Sequence, residues 1–212
     1  MFKAKAAIAA LFVSVLAGCA TEGELTTGGI LAVRTACPSL GIPAGTGDVT
    51  LFNPANSRDA SAIDVVANLT NLRSTCNDSG EYVVTSATFD VYAQRRNPRG
   101  ARQVVLPYFV TVVQGGTNVV SKRLGRVALS FADGQYRAST SAAATSQVLR
   151  SAATLPEAVR RDITRVRKPG DADAAIDPMA RPEVRAAVQR ATFEMLLGFQ
   201  LTPEQLAYNA TR

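Results

Sequence analysis

The chain has 212 residues, of which 47% are hydrophobic and 19% are charged, a composition that argues against disorder throughout and suits one domain with an appendage. It contains no histidine and only three cysteines, which excludes Ser-His and Cys-His nucleophilic catalysis and the common zinc-ligand sets. The formal net charge of +6 is typical of a nucleic-acid binder, but part of that excess lies in the first residues.

The first residues have the layout of a secretory signal. Two lysines within residues 1–5 precede an uncharged apolar run over residues 6–16, and small residues follow it. The run is shorter than the roughly 20 apolar residues that a membrane-spanning helix needs. We therefore predict a signal peptide over residues 1–18 that is cut away, rather than a permanent membrane anchor.

The four residues Leu16-Ala17-Gly18-Cys19 resemble the bacterial lipobox at every position. This resemblance implies that a signal peptidase cuts before Cys19 after its sulfur has received a diacylglycerol, and that Cys19 is then N-acylated and anchors the chain to a membrane. Ala20, in place of Asp, implies the outer membrane, facing the periplasm, with the periplasmic face of the inner membrane as the alternative. The competing interpretation is an ordinary secretory signal that ends near a cysteine.

Cleavage before Cys19 changes both the charge and the cysteine count. Two lysines leave with the signal, so the basic excess shrinks, and we do not expect an exported chain to bind nucleic acid. Cys37 and Cys76 remain as an even pair in an oxidising compartment, which predicts a disulfide. Such a bond stabilises a fold by roughly 3 to 4 kcal/mol in the chain-entropy model. Two buried free thiols are the alternative.

The residues after Cys19 predict a tether and then a β domain. Residues 19–29 are polar and rich in glycine, and we predict a flexible tether there. From residue 30 to residue 141, hydrophobic residues mainly recur with period two between turn sequences such as Asp133-Gly134. The pattern predicts strands at residues 30–36, 48–52, 63–72, 82–93, 104–114, 119–131 and 135–141. This spacing favours an antiparallel immunoglobulin-like or fibronectin-like β-sandwich, with an α+β half-barrel closed by C-terminal helices as the alternative.

Two positions inside these strands predict irregular geometry. Pro107 interrupts a run that is apolar on both faces, so the run predicts a central strand while Pro107 predicts an edge or a bulge. The hydrophobic residues between 119 and 131 change parity along the strand, which predicts a bulge near Gly125.

Residues 142–212 predict a helical extension, because Ala, Arg, Glu and Leu recur there at helical spacing. Thr154 and Glu157 have capping-box spacing before a first helix, and Lys168-Pro169-Gly170 ends that pattern. An acidic linker follows over residues 171–180.

Two further helices are predicted after this linker. Pro182 suits the first turn of a helix whose apolar stripe contains Val184, Val188, Ala191 and Met195. Thr202 and Gln205 have capping-box spacing before a short last helix.

No sequence motif assigns a catalytic group. The serines lie outside a GxSxG elbow, the glycine pairs lack a phosphate-binding arrangement, and the acidic residues are scattered. We therefore predict that the protein is not an enzyme and that it uses neither a metal nor another cofactor.

Four arginines lie close together around a predicted loop, and they are Arg95, Arg96, Arg99 and Arg102. A guanidinium group presents a planar set of donors that suits carboxylates and phosphates. These arginines are candidate contacts to an anionic lipid, to peptidoglycan or to an envelope protein. The plainer interpretation is a solvated loop whose charges keep a sheet edge soluble.

We weigh three functional hypotheses. The first is a non-catalytic outer-membrane lipoprotein, tethered through acylated Cys19, that acts as a periplasmic interaction or structural module of the cell envelope. The second is a carrier of lipid or another hydrophobic ligand, in which helices cover a cavity. The third is an envelope hydrolase with a carboxylate site that the sequence does not reveal.

Overall fold

Strands dominate the computed structural model, which describes residues 35–211. The predicted signal peptide, the lipobox with Cys19 and the tether lie outside these residues. The strands are β1 (Ser39–Gly41), β2 (Asp48–Phe52), β3 (Ile63–Asn77), β4 (Tyr82–Arg95), β5 (Arg102–Gln114), β6 (Asn118–Phe131), β7 (Arg137–Leu149) and β8 (Phe193–Phe199). This mainly-β architecture confirms the predicted fold class.

The strands form two four-stranded sheets. The first sheet has the order β2-β3-β4-β7, and the second sheet has the order β1-β8-β5-β6. Neighbouring strands are antiparallel except β1 and β8, which are parallel. Because β2, β3 and β4 are consecutive neighbours in one sheet, the order differs from that of an immunoglobulin domain, whose third strand crosses to the second sheet.

Apolar side chains from the facing sides of the two sheets form one core. Strand residues alternate between two faces, so every second residue of each long strand points inward. The core includes Val65, Ala67, Phe89 and Val91 from the first sheet and Leu106, Leu129, Met195 and Leu197 from the second. Burial of these side chains holds the sheets face to face, as expected for a sandwich.

The position of Pro107 in β5 resolves the conflict in the sequence. Strand β5 is central only from Tyr108 to Gln114, where it pairs with β6 on one side and β8 on the other. Pro107 lies just beyond the end of β8, and the N–H of Gln200 donates to its carbonyl at 2.9 Å. A proline is tolerated there because no neighbouring strand requires the missing N–H.

The bulge in the β5–β6 pair lies several residues before the predicted one. The register shifts between Val112 and Val113 of β5, which leaves Val120 of β6 as the extra residue. Gly125 is paired regularly with Tyr108, and a Cβ atom on Gly125 would lie 2.3 Å from Cζ of the Tyr108 ring. Gly125 therefore makes room for an aromatic ring, and the predicted bulge at Gly125 is wrong.

The predicted disulfide is present. Cys37 and Cys76 are bonded, with their Cα atoms 6.1 Å apart and 39 positions apart in the sequence. The bond ties the segment before β1 to the end of β3. Cys37 packs against a second, smaller apolar cluster that contains Val83, Val112, Val148, Ala153 and Phe193.

The C-terminal region is less helical than the sequence predicts. Residues 142–149 continue β7, so the predicted boundary at residue 141 is too early. Alternate residues such as Ala142 and Ala144 pack against the core while their neighbours are exposed. Alanine suits a helix, but pairing with β4 decides the conformation here.

The predicted helix with the apolar stripe ends early. Helix α3 (Pro182–Ala191) buries Val184 and Val188 as expected, but Met195 belongs to β8 and lies in the sandwich core. Residues Phe193, Met195, Leu197 and Phe199 are buried with period two. Pairing of β8 with β5 and β1 satisfies its backbone on both sides, which outweighs the helical spacing.

Three further α-helices are present, α1 (Arg150–Ala153), α2 (Glu157–Thr164) and α4 (Pro203–Thr211), together with two 3-10 helices at Ala60–Ala62 and Pro178–Ala180. The capping box predicted for α4 forms, because the Gln205 N–H donates to Thr202 Oγ1 and the Thr202 N–H donates to Gln205 Oε1. The box predicted for α2 does not form, since the Thr154 hydroxyl donates to the carbonyl of Arg150. Among residues 35–211, no helix is long and apolar enough to cross a membrane.

Candidate functional site

Arg95 is buried, with 1% of its surface exposed. Its guanidinium group donates to four main-chain carbonyls at 2.5 to 2.8 Å, and these belong to Pro98, Gly100, Ala132 and Gln135. Its Cζ atom also lies 5.1 Å from the centre of the Phe131 ring. Arg95 therefore joins the β4–β5 loop to the β6–β7 loop, and this geometry removes it from the set of arginines that a partner can reach.

The other three candidate arginines do not converge on one site. Arg96 donates to the carbonyl of Ser61. Arg102 forms a bidentate pair with Asp64 at 2.9 and 2.7 Å, and this hydrogen bond raises the pKa of Arg102. Arg99 is exposed, and its backbone N–H donates to the side chain of Asn97. Of the four predicted arginines, the exposed Arg99 and Arg96 side chains are the ones that a partner can still reach.

The sheet edges form a second class of candidate site, because an edge strand presents unpaired backbone donors and acceptors. Strand β1 is only three residues long. Strand β2 is interrupted by a register shift between Leu51 and Phe52, and the Phe52 ring packs on Tyr208 of α4 at 5.1 Å. Short length, a bulge and a covering helix are the usual protections of an edge.

Strand β6, the edge of the second sheet opposite β1, is protected by charge. It carries Lys122, Arg123 and Arg126 and contains the bulge at Val120. Charged residues and bulges discourage an incoming strand from pairing. Lys122 also lies over the Phe109 ring, with its Nζ atom 5.5 Å from the ring centre.

In the part of the chain that the structure describes, strand β7, the remaining edge, has none of these protections. It is 13 residues long, has no proline, and pairs with β4 from Arg137 to Leu149 without a register shift. Its one charged residue is Arg137, at its first position. A long, regular edge strand with small uncharged side chains is a template for pairing with another strand.

Within residues 35–211, the backbone groups of β7 that face away from β4 belong to its odd-numbered residues, and of these the Ala143 carbonyl accepts from the Tyr108 hydroxyl. The carbonyl of Tyr136 accepts from Arg95 N–H, and the N–H of Arg150 donates to Glu81, so the even residues at both ends face β4. Successive residues of a strand direct their backbone groups to opposite sides. Ser139, Ala143, Thr145 and the other odd residues therefore point their N–H and C=O groups away from β4, towards the free edge.

The inner side of this edge is only partly closed. The inward residues Ala138, Thr140, Ala142 and Ala144 are small and half-buried. The ring of Tyr108 lies against Phe89, and its hydroxyl lies 3.5 Å from the carbonyl of Ala143. Strands β6 and β7 are edges of different sheets and are not hydrogen-bonded to each other, and we call the side where they face each other the β6–β7 gap.

A carboxylate holds β7 at the middle of this edge. Asp90 of β4 accepts hydrogen bonds from the Ser141 hydroxyl at 2.6 Å and from the Asn71 amide at 2.7 Å. Asn71 has a positive φ of 52° at the irregularity of β3, and Arg73 donates to its side chain. The hydrogen bonds from Ser141 and Asn71 lower the pKa of Asp90, and the charge of Arg73 adds to this.

An apolar cavity of about 590 Å³ lies beside α2 and the disulfide. Its apolar wall consists of Ala36, Cys37, Ala153, Leu155, Ile163, Ala191 and Phe193. Thr154, Thr164 and Thr192 also line it, but their hydroxyls donate to main-chain carbonyls one helical turn earlier. The threonines therefore add mainly methyl groups to the wall.

Ion pairs hold the predicted linker against α2. Asp162 of α2 pairs with Arg167 and Arg181, and Asp173 pairs with Arg165 and Arg167. The hydrogen bond from Arg165 is the main cause of the lowered pKa of Asp173. These pairs account for much of the charge that the sequence places after residue 160, and they fix the outer side of the helix that borders the cavity.

Comparisons with known proteins assign no function to these surfaces. No protein-family model, no curated protein and no solved structure matches the chain. Within residues 35–211, no group of three or more His, Cys, Asp or Glu side chains is placed to hold a metal ion. The free edge of β7 was not predicted, because the sequence does not specify which strands lie at the edges.

Replacing Arg95 with Met should strongly destabilise the fold. The substitution leaves four main-chain carbonyls without the donor that the buried Arg95 supplies, and we expect the free energy of unfolding to fall by about 3 kcal/mol. Urea denaturation measures this change. Arg99→Ala is the matched control and should change stability by less than about 0.5 kcal/mol. Equal effects of the two substitutions would contradict the structural role of Arg95.

The contribution of Asp90 should depend on pH. Because the folded state lowers its pKa, the carboxylate stabilises the fold above the ordinary aspartate pKa of about 4, and this stabilisation is lost as the pH falls through the lowered value. We expect the difference in urea midpoint between the wild type and Asp90→Asn to be constant near neutral pH and to shrink in acid. Asp78→Asn, in the β3–β4 turn, is the control. A difference that grows in acid would refute this role.

Proposed function

We propose that this chain is a non-catalytic, lipid-anchored module of the outer membrane that faces the periplasm and binds a partner in the cell envelope. The observation that carries the proposal is the free edge of β7, which is long, regular and without the protections found on the other three edges. The resemblance of residues 16–19 to a lipobox supports the anchor and the location.

The edge supports binding by strand addition. An extended peptide beside β7 would exchange main-chain hydrogen bonds with the odd-numbered residues, and these bonds supply affinity without any requirement for a side-chain pocket. Arg95 and Asp90 fix β7 before binding, because one fastens the loop that leads into it and the other fastens its middle. A prepared edge reduces the entropy that binding would otherwise lose.

The proposal is tested with the intact acylated protein, purified from its native membrane and analysed by mass spectrometry of both proteins and lipids. Thr145→Pro removes one outward N–H while leaving the β4 ladder intact, and we expect it to release the envelope partner. Thr145→Ala keeps the N–H and should retain the partner. Gln147→Pro repeats the test at a second outward N–H, in case the first proline variant does not fold.

Retention of the same partner by both folded proline variants would contradict the proposal. Cys19→Ala separates anchoring from docking, since it removes the acylated residue and leaves the edge unchanged. Loss of the partner only in Cys19→Ala would indicate that co-purification depends on the membrane and not on β7.

A carrier of a hydrophobic ligand is the second candidate function, and the cavity beside α2 favours it. Its volume of about 590 Å³ lies within the range of small-molecule pockets, and its wall is mainly methyl and methylene groups. In the same purification, lipid at one molecule per protein without any protein partner would support the carrier over the interaction module.

A further inference from the structure

We infer that the partner of the β7 edge is an acidic, extended peptide segment. This inference rests on the proposed docking function and adds the chemistry of the partner. It follows from the charges that border the β6–β7 gap. Strands β6 and β7 contain Lys122, Arg123, Arg126 and Arg137 and no Asp or Glu, and Arg150 follows β7 directly.

The register places one of these cations on an inner face of the sandwich and three on the outer faces of the sheets. Arg123 is opposite Val110, whose side chain is buried in the core, so Arg123 lies on the inward face of β6. Lys122 and Arg126 lie on the outward face of the same strand. Arg137 begins β7 and lies on the outer face of the first sheet, opposite Gln94.

These cations lack acidic partners in the part of the chain that the structure describes. None of these five side chains forms an ion pair there, whereas Arg102, Arg160 and Arg165 do. Two carboxylates of neighbouring segments are engaged elsewhere, since Asp90 accepts from Ser141 and Asn71, and Asp133 accepts from the N–H of Gly100. A strand that pairs along β7 therefore meets a cation at each end of β7, Arg137 and Arg150, and lies beside the basic strand β6.

An acidic strand is the occupant that complements this charge. Complementary potentials raise the association rate and disfavour partners of like charge. A second copy of this chain would add another β7 edge and another basic β6, so like charges would meet. A basic peptide would be repelled by the same cations, and a neutral peptide would gain only the main-chain hydrogen bonds.

The test measures binding of synthetic peptides to the purified full-length chain in detergent by fluorescence anisotropy. Three short peptides alternate valine with glutamate, with glutamine or with lysine. We expect the glutamate peptide to bind about tenfold more tightly than the glutamine peptide, and this difference to shrink at high salt. Lys122→Gln together with Arg123→Gln should reduce the difference, whereas Arg185→Gln, which removes an exposed charge on α3, should leave it unchanged.

Thr145→Pro separates failure of this inference from failure of the proposed function. If the glutamate peptide binds no better than the glutamine peptide but Thr145→Pro weakens both, the acidic preference is overturned and the docking edge stands. Binding that Thr145→Pro leaves unchanged overturns both. A dimer in sedimentation that Thr145→Pro dissociates would make a second copy the occupant and would also overturn the acidic preference.

Discussion

The constraint on which this structure depends is that every sheet edge leaves backbone N–H and C=O groups in need of a partner. Two open four-stranded sheets have four such edges, and the chain treats them differently. Strand β1 is only three residues long. Strand β2 has a register shift and is covered by α4, and strand β6 carries charged residues and a bulge. Among residues 35–211, only β7 keeps a long regular edge, and most of its outward backbone groups find no partner there.

Two polar side chains prepare this edge, the buried Arg95 and Asp90 on the outer face of the first sheet. Arg95 satisfies four carbonyls in two loops, so the chain enters β7 in a fixed position. Asp90 connects β3, β4 and β7 through Asn71 and Ser141. An arginine buried without such partners would cost stability, and here Arg95 organises backbone that the apolar core does not reach.

The sequence predicts features that depend on local pattern and misses those that depend on pairing. Alternation located β2 and most of β4, and cysteine parity predicted the Cys37–Cys76 bond. The strand β8 was predicted as helix, because its hydrophobic spacing suits both periods and only β5 decides between them. The four carbonyls around Arg95 come from distant loops, so the same arginine looked like a surface cation.

The most direct test of the free edge is residue-resolved amide hydrogen exchange in β7 of the full-length chain. If the odd residues face outward, the amides of Ser139, Ser141, Ala143, Thr145 and Gln147 should exchange rapidly. The amides of the even residues between them should exchange slowly, because they donate to β4. Uniform slow exchange along β7 would show that the edge is already covered and would contradict the account.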